Sequence, residues 1–329
     1  MKRLFLLVIL AFGVIFAACG REETPIAQIH LYGERHGSSA HLDKQFELWY
    51  NYYHNHNMRH LFLESPFFTA EFLNIWMSED DDEILNAVFR DLRGTAMDNR
   101  YTRAFLRRIK AELPETIFHG TDIGHQYRTT GPRFSQHLRD NGLESGEAYL
   151  LTLENIEQGR LFYNELEQNH SLRANMMVEN FVRTFDSLDG ESIMSAFYGN
   201  AHVELGYYHP FFGGGPTMAA QLREIYGEIV HTTDLRALIA SAIPDTLTIE
   251  GREYAAAFYG EETRVGNIVA VAFWRLENAF DDFKNHPAAS EDGVMWHFDH
   301  FPIPGEANQI YVLRETMWDG NIVTRFFRT

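Results

Sequence analysis

From Ile26 onward, short apolar runs alternate with longer amphipathic segments, and that alternation predicts βα units around a largely parallel sheet. The candidate strands span residues 26–32, 60–63, 116–119, 193–198 and 228–231. Between the first two, Leu42, Phe46, Trp49 and Tyr53 recur at i, i+4, i+7 and i+11, the spacing of one apolar helix face. Residues 105–113, 134–138 and the long interval 146–189 also read as helical. After about Ala242 the texture changes. Pro244, Gly251, Gly260, Gly266, Pro302, Pro304 and Gly305 punctuate runs at 267–274, 309–313 and 321–327, a strand-rich pattern. The predicted fold class is therefore α/β: a largely parallel sheet flanked by helices over 24–242, then a strand-rich C-terminal region over 243–329. That region either extends the same sheet or forms an antiparallel cap.

The first nineteen residues stand apart. Lys2 and Arg3 precede an apolar stretch, 4–18, too short to span a bilayer and without the polar face a buried helix needs. Small residues then lead into Cys19, the only cysteine. This pattern resembles a bacterial lipoprotein signal with its lipobox, although Phe16 stands where leucine is more usual; a plainly secreted or an uncleaved form is the alternative. The expectation is a lipid on Cys19, a membrane anchor through that lipid, and a chain facing the periplasm or cell surface. With Cys19 acylated, no thiol remains for a disulfide, a nucleophile or a metal, so any metal must sit on histidine, carboxylate and water.

Charge narrows the partners. Lys and Arg number 28 against 46 Asp and Glu, and loss of Lys2 and Arg3 takes the formal charge from −18 to −20. Such a surface is a poor match for nucleic acid. The acid run at residues 79–83 reads as a solvated loop or a helix start. At 45% hydrophobic and 14% aromatic, the chain can bury one large core.

Ligands of open parallel sheets bind at the carboxyl ends of the strands. Four predicted strands run there into chemically useful residues: Gly33-Glu34-Arg35-His36, Glu64-Ser65-Pro66, Gly120-Thr121-Asp122 and Gly199-Asn200-Ala201-His202. If the strands are parallel neighbours, two histidines and up to three carboxylates meet on one rim. Gly-x-x-His alone is weak, and a third copy at Gly206-Tyr207-Tyr208-His209 illustrates its chance occurrence. Asp122 also suits a helix cap, whereas Glu34, His36, Glu64 and His202 do not.

In order, GERHG, the acid after the second strand, Gly-x-Asp, "RANMMVENF" with Arg173, Met177 and Asn180 on one face, and "FYGNAHV" resemble the erythromycin esterase-like proteins. They also resemble the wider group that includes the Tiki/TraB proteases and ChaN-type haem-associated lipoproteins. The motifs cover residues 30–205. One residue separates Glu34 and His36 where the esterases usually have two, and Gly199 stands where they carry the first histidine of a pair; both features are closer to ChaN. Macrolide hydrolysis is therefore not carried over. The resemblance implies a site of Glu34, His36, Glu64 and His202, supported by Asp122, Arg173 and Asn200.

Two chemistries follow. Without metal, a neutral His36 oriented by Glu34 or Glu64 takes a proton from water, while His202 or Arg173 stabilises the oxyanion of an ester or amide. With metal, His36, Glu64 and His202 hold Zn²⁺, Mn²⁺ or Fe²⁺ and leave a position open for water. Ser38 and Ser39 lack a Gly-x-Ser-x-Gly elbow, which argues against a serine hydrolase. His54, His56 and His60 read as solvated surface, His297, Asp299 and His300 as a weak ligand cluster, and Met176 and Met177 as core filling. The expected function is a lipid-anchored hydrolase of a small-molecule or peptide substrate. The alternative is a haem- or metal-binding lipoprotein without turnover, with Tyr52, Tyr53, Tyr207 and Tyr208 as further haem contacts.

Overall fold

The computed structural model describes residues 26–206, 213–235, 243–263, 266–286, 294–297, 301–304 and 308–329. Cys19, Tyr207, Tyr208, Asp299 and His300 lie outside them. No helix among the described residues is long and apolar enough to cross a membrane.

The chain is α/β. Strands β1 (Ile29–Glu34), β2 (His60–Pro66), β3 (Ile117–Asp122), β4 (Ile193–Ala196), β5 (Tyr198–Gly199) and β6 (Val230–Asp234) form one parallel sheet. Ile29 of β1 is in register with Ile193 on one side and Val230 on the other, so β1 lies inside the sheet. Beyond β4 lie β2 and then β3, in register through His60 with both Ile193 and Ile117. All five predicted strands are present, and the first three run further into the polar residues that follow them.

Alternation along each strand makes two apolar faces. Leu61 and Leu63 face the layer built by α1 (Ser39–Asn55), α2 (Phe67–Met77), α3 (Glu83–Asp91) and α4 (Arg100–Glu112), where Leu42, Phe46, Trp49 and Tyr53 are all buried. Phe62 faces the other way, onto Met177, Phe181 and Phe185 of α7 (His170–Asp186). The interval 146–189 is two helices, α6 (Glu147–Asn164) and α7, preceded by α5 (Thr130–Asp140). Met177 fills the core, and the acid run leads into α3, where Asp82 pairs with Arg107 at 2.8 Å.

The predicted strand 193–198 is broken. Phe197, buried, sits at φ 66°, a conformation that bulky side chains rarely adopt, and its N–H donates to Gln45 Oε1 at 3.1 Å. The break separates β4 from β5 and turns the chain into α8 (Asn200–Val203) at the carboxyl end of β1.

The C-terminal strands form a separate antiparallel sheet: β7 (Ile243–Ile249), β8 (Arg252–Thr263) and β9 (Ile268–Leu276), then Ile310–Met317 and Ile322–Arg328. It does not extend the first sheet but grips the loop after β1. Thr263 N–H donates to the Gly37 carbonyl at 3.1 Å, Ser38 bridges Glu262, Glu261 N–H donates to Ser39 Oγ at 3.1 Å, and Arg35 pairs with buried Glu262. Of the second histidine cluster, His297 lies in a short strand paired with Phe301–Pro304. His54 and His56 are exposed, as expected, while His60 meets His119 at 2.9 Å.

Candidate active site

The carboxyl ends of β1, β2, β3 and β5 bring the predicted residues together. His36 Nδ1 lies 2.9 Å from Glu34 Oε1, and His36 Nε2 lies 3.9 Å from Glu64 Oε2. Glu64 Oε2 also accepts the Gly199 N–H at 2.6 Å. Its other oxygen meets Arg173 Nη2 at 2.7 Å and His202 Nε2 at 3.3 Å. Arg173 reaches across to Asp122, with Nε at 3.0 Å from Oδ1 and Nη2 at 2.6 Å from Oδ2. Glu64 is thus the hinge through which both histidines join one network.

This network heads a cleft of about 760 Å³ lined by His36, Glu64, Asp122, His125, Tyr163 and Arg173, among others. The His36 side chain is 34% exposed and faces it, whereas Glu34 is 2% exposed. Behind Glu34, the amide of Gln45 donates to the carboxylate and accepts from Phe197, so one side chain fixes both the acid and the strand break.

Electrostatics follow from burial. Burial lifts the Glu34 carboxyl above its ordinary value, against the pull of His36 and Gln45. Burial opposes charge on His36 as well, but its hydrogen bond to Glu34 and the Glu64 and Glu34 carboxylates outweigh that and lift its pKa to about 9. The pair therefore holds its proton through neutrality. The expected neutral imidazole at pH 7 is corrected on this point: the base form accumulates in the alkaline range. For Glu64, burial would raise the pKa, yet His202, Arg173 and His36 hold it well below the usual carboxylate range; Arg173 and His125 do the same for Asp122.

His202 is 3% exposed and sits 3.3 Å from Glu64, so it braces the carboxylate. Asn200 lies over Gly33 at the end of β1 and donates to Glu204 at 2.5 Å. Asp122 caps no helix; it accepts from Arg173 and from the Ile123 N–H at 2.7 Å, and the next helix is preceded by Thr129. Ser38 caps α1.

The metal set does not fit. The Glu64 oxygen nearest His202 already receives the Arg173 guanidinium at 2.7 Å, so a cation there would face a fixed positive charge. Among the described residues, no group of three or more His, Cys, Asp and Glu side chains is arranged to hold a metal ion.

Residues that sequence reasoning missed are Gln45, His125 and Tyr163. Gln45 had a signal, since it interrupts the apolar face of α1 and a polar residue there must be hydrogen-bonded. His125 follows Asp122 by three residues and meets its Oδ2 at 2.8 Å.

Two glycines beside His36 leave little room for a side chain. A Cβ at Gly199 would lie 3.2 Å from His36 Nε2, so the glycine makes room for His36. Gly37 has φ 78° and its Cβ would collide with the Thr263 side chain. Gly37→Ala is expected to cost about 1–3 kcal/mol in chemical denaturation. It should also reduce turnover, because the strain falls beside His36; an unchanged midpoint would refute this.

No family model and no curated protein matches the chain. Solved structures similar to it include a Bacillus cereus protein at 15% identity and TM-score 0.43, over 62% of this chain and 64% of that one. A mutant of erythromycin esterase EreC in its open conformation is 13% identical, TM-score 0.45, over 70% and 75% of the two chains. A succinoglycan biosynthesis protein is 13% identical, TM-score 0.46, over 62% and 64%. The chain thus spans less than two thirds of the first and third of these structures.

Proposed function

We propose that the chain is a lipid-anchored hydrolase facing outside the cytoplasm, in which His36 removes a proton from water for attack on an ester or amide. The observation that carries this reading is His36 held by Glu34 at 2.9 Å while its other nitrogen faces the cleft beside Glu64. Glu34 fixes the ring and stabilises the imidazolium that forms, and Gln45 fixes Glu34. Arg173, locked by Asp122 and Glu64 at the cleft wall, supplies the positive charge toward which the developing oxyanion turns. No metal or cofactor is required for these steps. The anchor rests on the basic-apolar leader and Cys19, and the motif likeness to the erythromycin esterase-like proteins supports the reaction class. The substrate is a small molecule or short peptide that fits a cleft of about 760 Å³.

The test is a panel of esters and amides incubated with the purified chain. Turnover of at least one member, proportional to enzyme, is the expected result. No turnover on any member, combined with a Soret shift on adding haem, would instead favour the binding lipoprotein. His36, His125, Tyr127 and Tyr163 on the cleft wall make that second reading concrete.

A further inference from the structure

The wall of the cleft formed after β3 carries a second histidine–carboxylate pair that the steps above leave unused. His125 Nε2 lies 2.8 Å from Asp122 Oδ2, and His125 Nδ1 lies 2.6 Å from the Tyr163 hydroxyl. Tyr163 is the penultimate residue of α6, 38% exposed, and lines the same cleft as His36. The arrangement is braced from several sides. The Tyr127 ring stacks on Tyr163 with centroids 5.9 Å apart, and Phe162 packs edge-on against both His125 and Tyr163. Asp122 is anchored by the same Arg173 that holds Glu64, so the two imidazoles belong to one continuous polar chain.

We propose that Tyr163 is the proton donor to the leaving group and that His125, oriented by Asp122, is its positioning residue, which directs the enzyme toward alkyl esters and amides. This rests on the hydrolase reading. Water attacks the carbonyl and yields its proton to His36. As the carbonyl–leaving-group bond breaks, the departing oxygen or nitrogen takes the Tyr163 proton. The phenolate, held in place by His125 Nδ1, regains a proton from solvent in the open cleft, and solvent removes the one on His36. Protons balance over the cycle, and nothing is oxidised. Burial raises the Tyr163 hydroxyl above its ordinary pKa, with Arg173 opposing the rise and Asp122 and Tyr127 adding to it, so the hydroxyl is the protonated partner of the pair. A donor matters most for a basic leaving group, because an alkoxide departs poorly and a nitrophenolate does not need the help.

The experiment uses the full chain and a series of esters with one acyl group and alcohols running from nitrophenol to a simple alkanol. Tyr163→Phe is expected to lose about 10²-fold on the alkyl ester, with the loss shrinking as the leaving group becomes less basic. His125→Gln should show the same slope more weakly. An equal loss across the series, for either variant, would mean a structural role and overturn the relay while leaving His36 as base. Wild-type chain that turns over no member overturns the hydrolase reading and the relay with it.

Discussion

His36→Ala is expected to lower turnover by about 10²–10⁴-fold on every substrate of the panel, the contribution of a positioned general base. The loss should not depend on leaving group, which separates it from the effect of Tyr163→Phe. The fold should survive. Glu34 keeps its hydrogen bond from Gln45, and burial has already lifted its pKa, so without His36 the carboxyl takes up a proton and avoids remaining a lone buried charge. Far-ultraviolet dichroism and the thermal midpoint should therefore stay close to wild type. A variant that unfolds, or one that keeps more than a tenth of wild-type turnover, contradicts the role given to His36.

Arg173→Met is expected to have the largest effect on stability, about 3–5 kcal/mol, because it leaves Glu64 and Asp122 buried without their cation. For a chain of this size that is a fall of roughly 10 °C in Tm. The pH dependence has a definite sign. Arg173 helps hold both carboxyls below their ordinary pKa, so its stabilisation is fully present above about pH 4 and is lost as pH falls through the lowered values. The gap between wild type and variant should be widest near pH 7 and narrow in acid. A gap of the same size at pH 3 and pH 7 would show that the cost is packing and not charge.

The parallel sheet was legible because period-two and period-3.6 patterns change over sharply between β1, α1 and β2. The site was legible in outline because each strand ends in its own acid or histidine, and parallel pairing places those ends side by side. Phe197 was not legible: the run 193–198 has Ser195 as its one polar residue and no glycine or proline to mark a turn, and only the bond to Gln45, 152 residues away in sequence, makes the left-handed turn visible. Where His202 and Asn200 lie was not legible for the same reason, since the break at Phe197 sets the course of the chain into α8. Tyr163 reaches the site, and Glu262 the loop after β1, through pairings with no local period. Whether the C-terminal strands joined the first sheet depended on its edges, and those are set by β3 and β6, not by any pattern after residue 242.

The most direct test of a carboxylate-held histidine as the base is the pH dependence of kcat/KM for wild type and Glu34→Gln. The wild-type rate should rise with pH along a limb near 9, where His36 loses its proton. In Glu34→Gln that limb should move toward the ordinary histidine value of about 6.5, as the hydrogen-bonded carboxylate that favours the imidazolium is gone. A wild-type limb near 6.5, or a limb near 9 that Glu34→Gln leaves in place, would contradict the account.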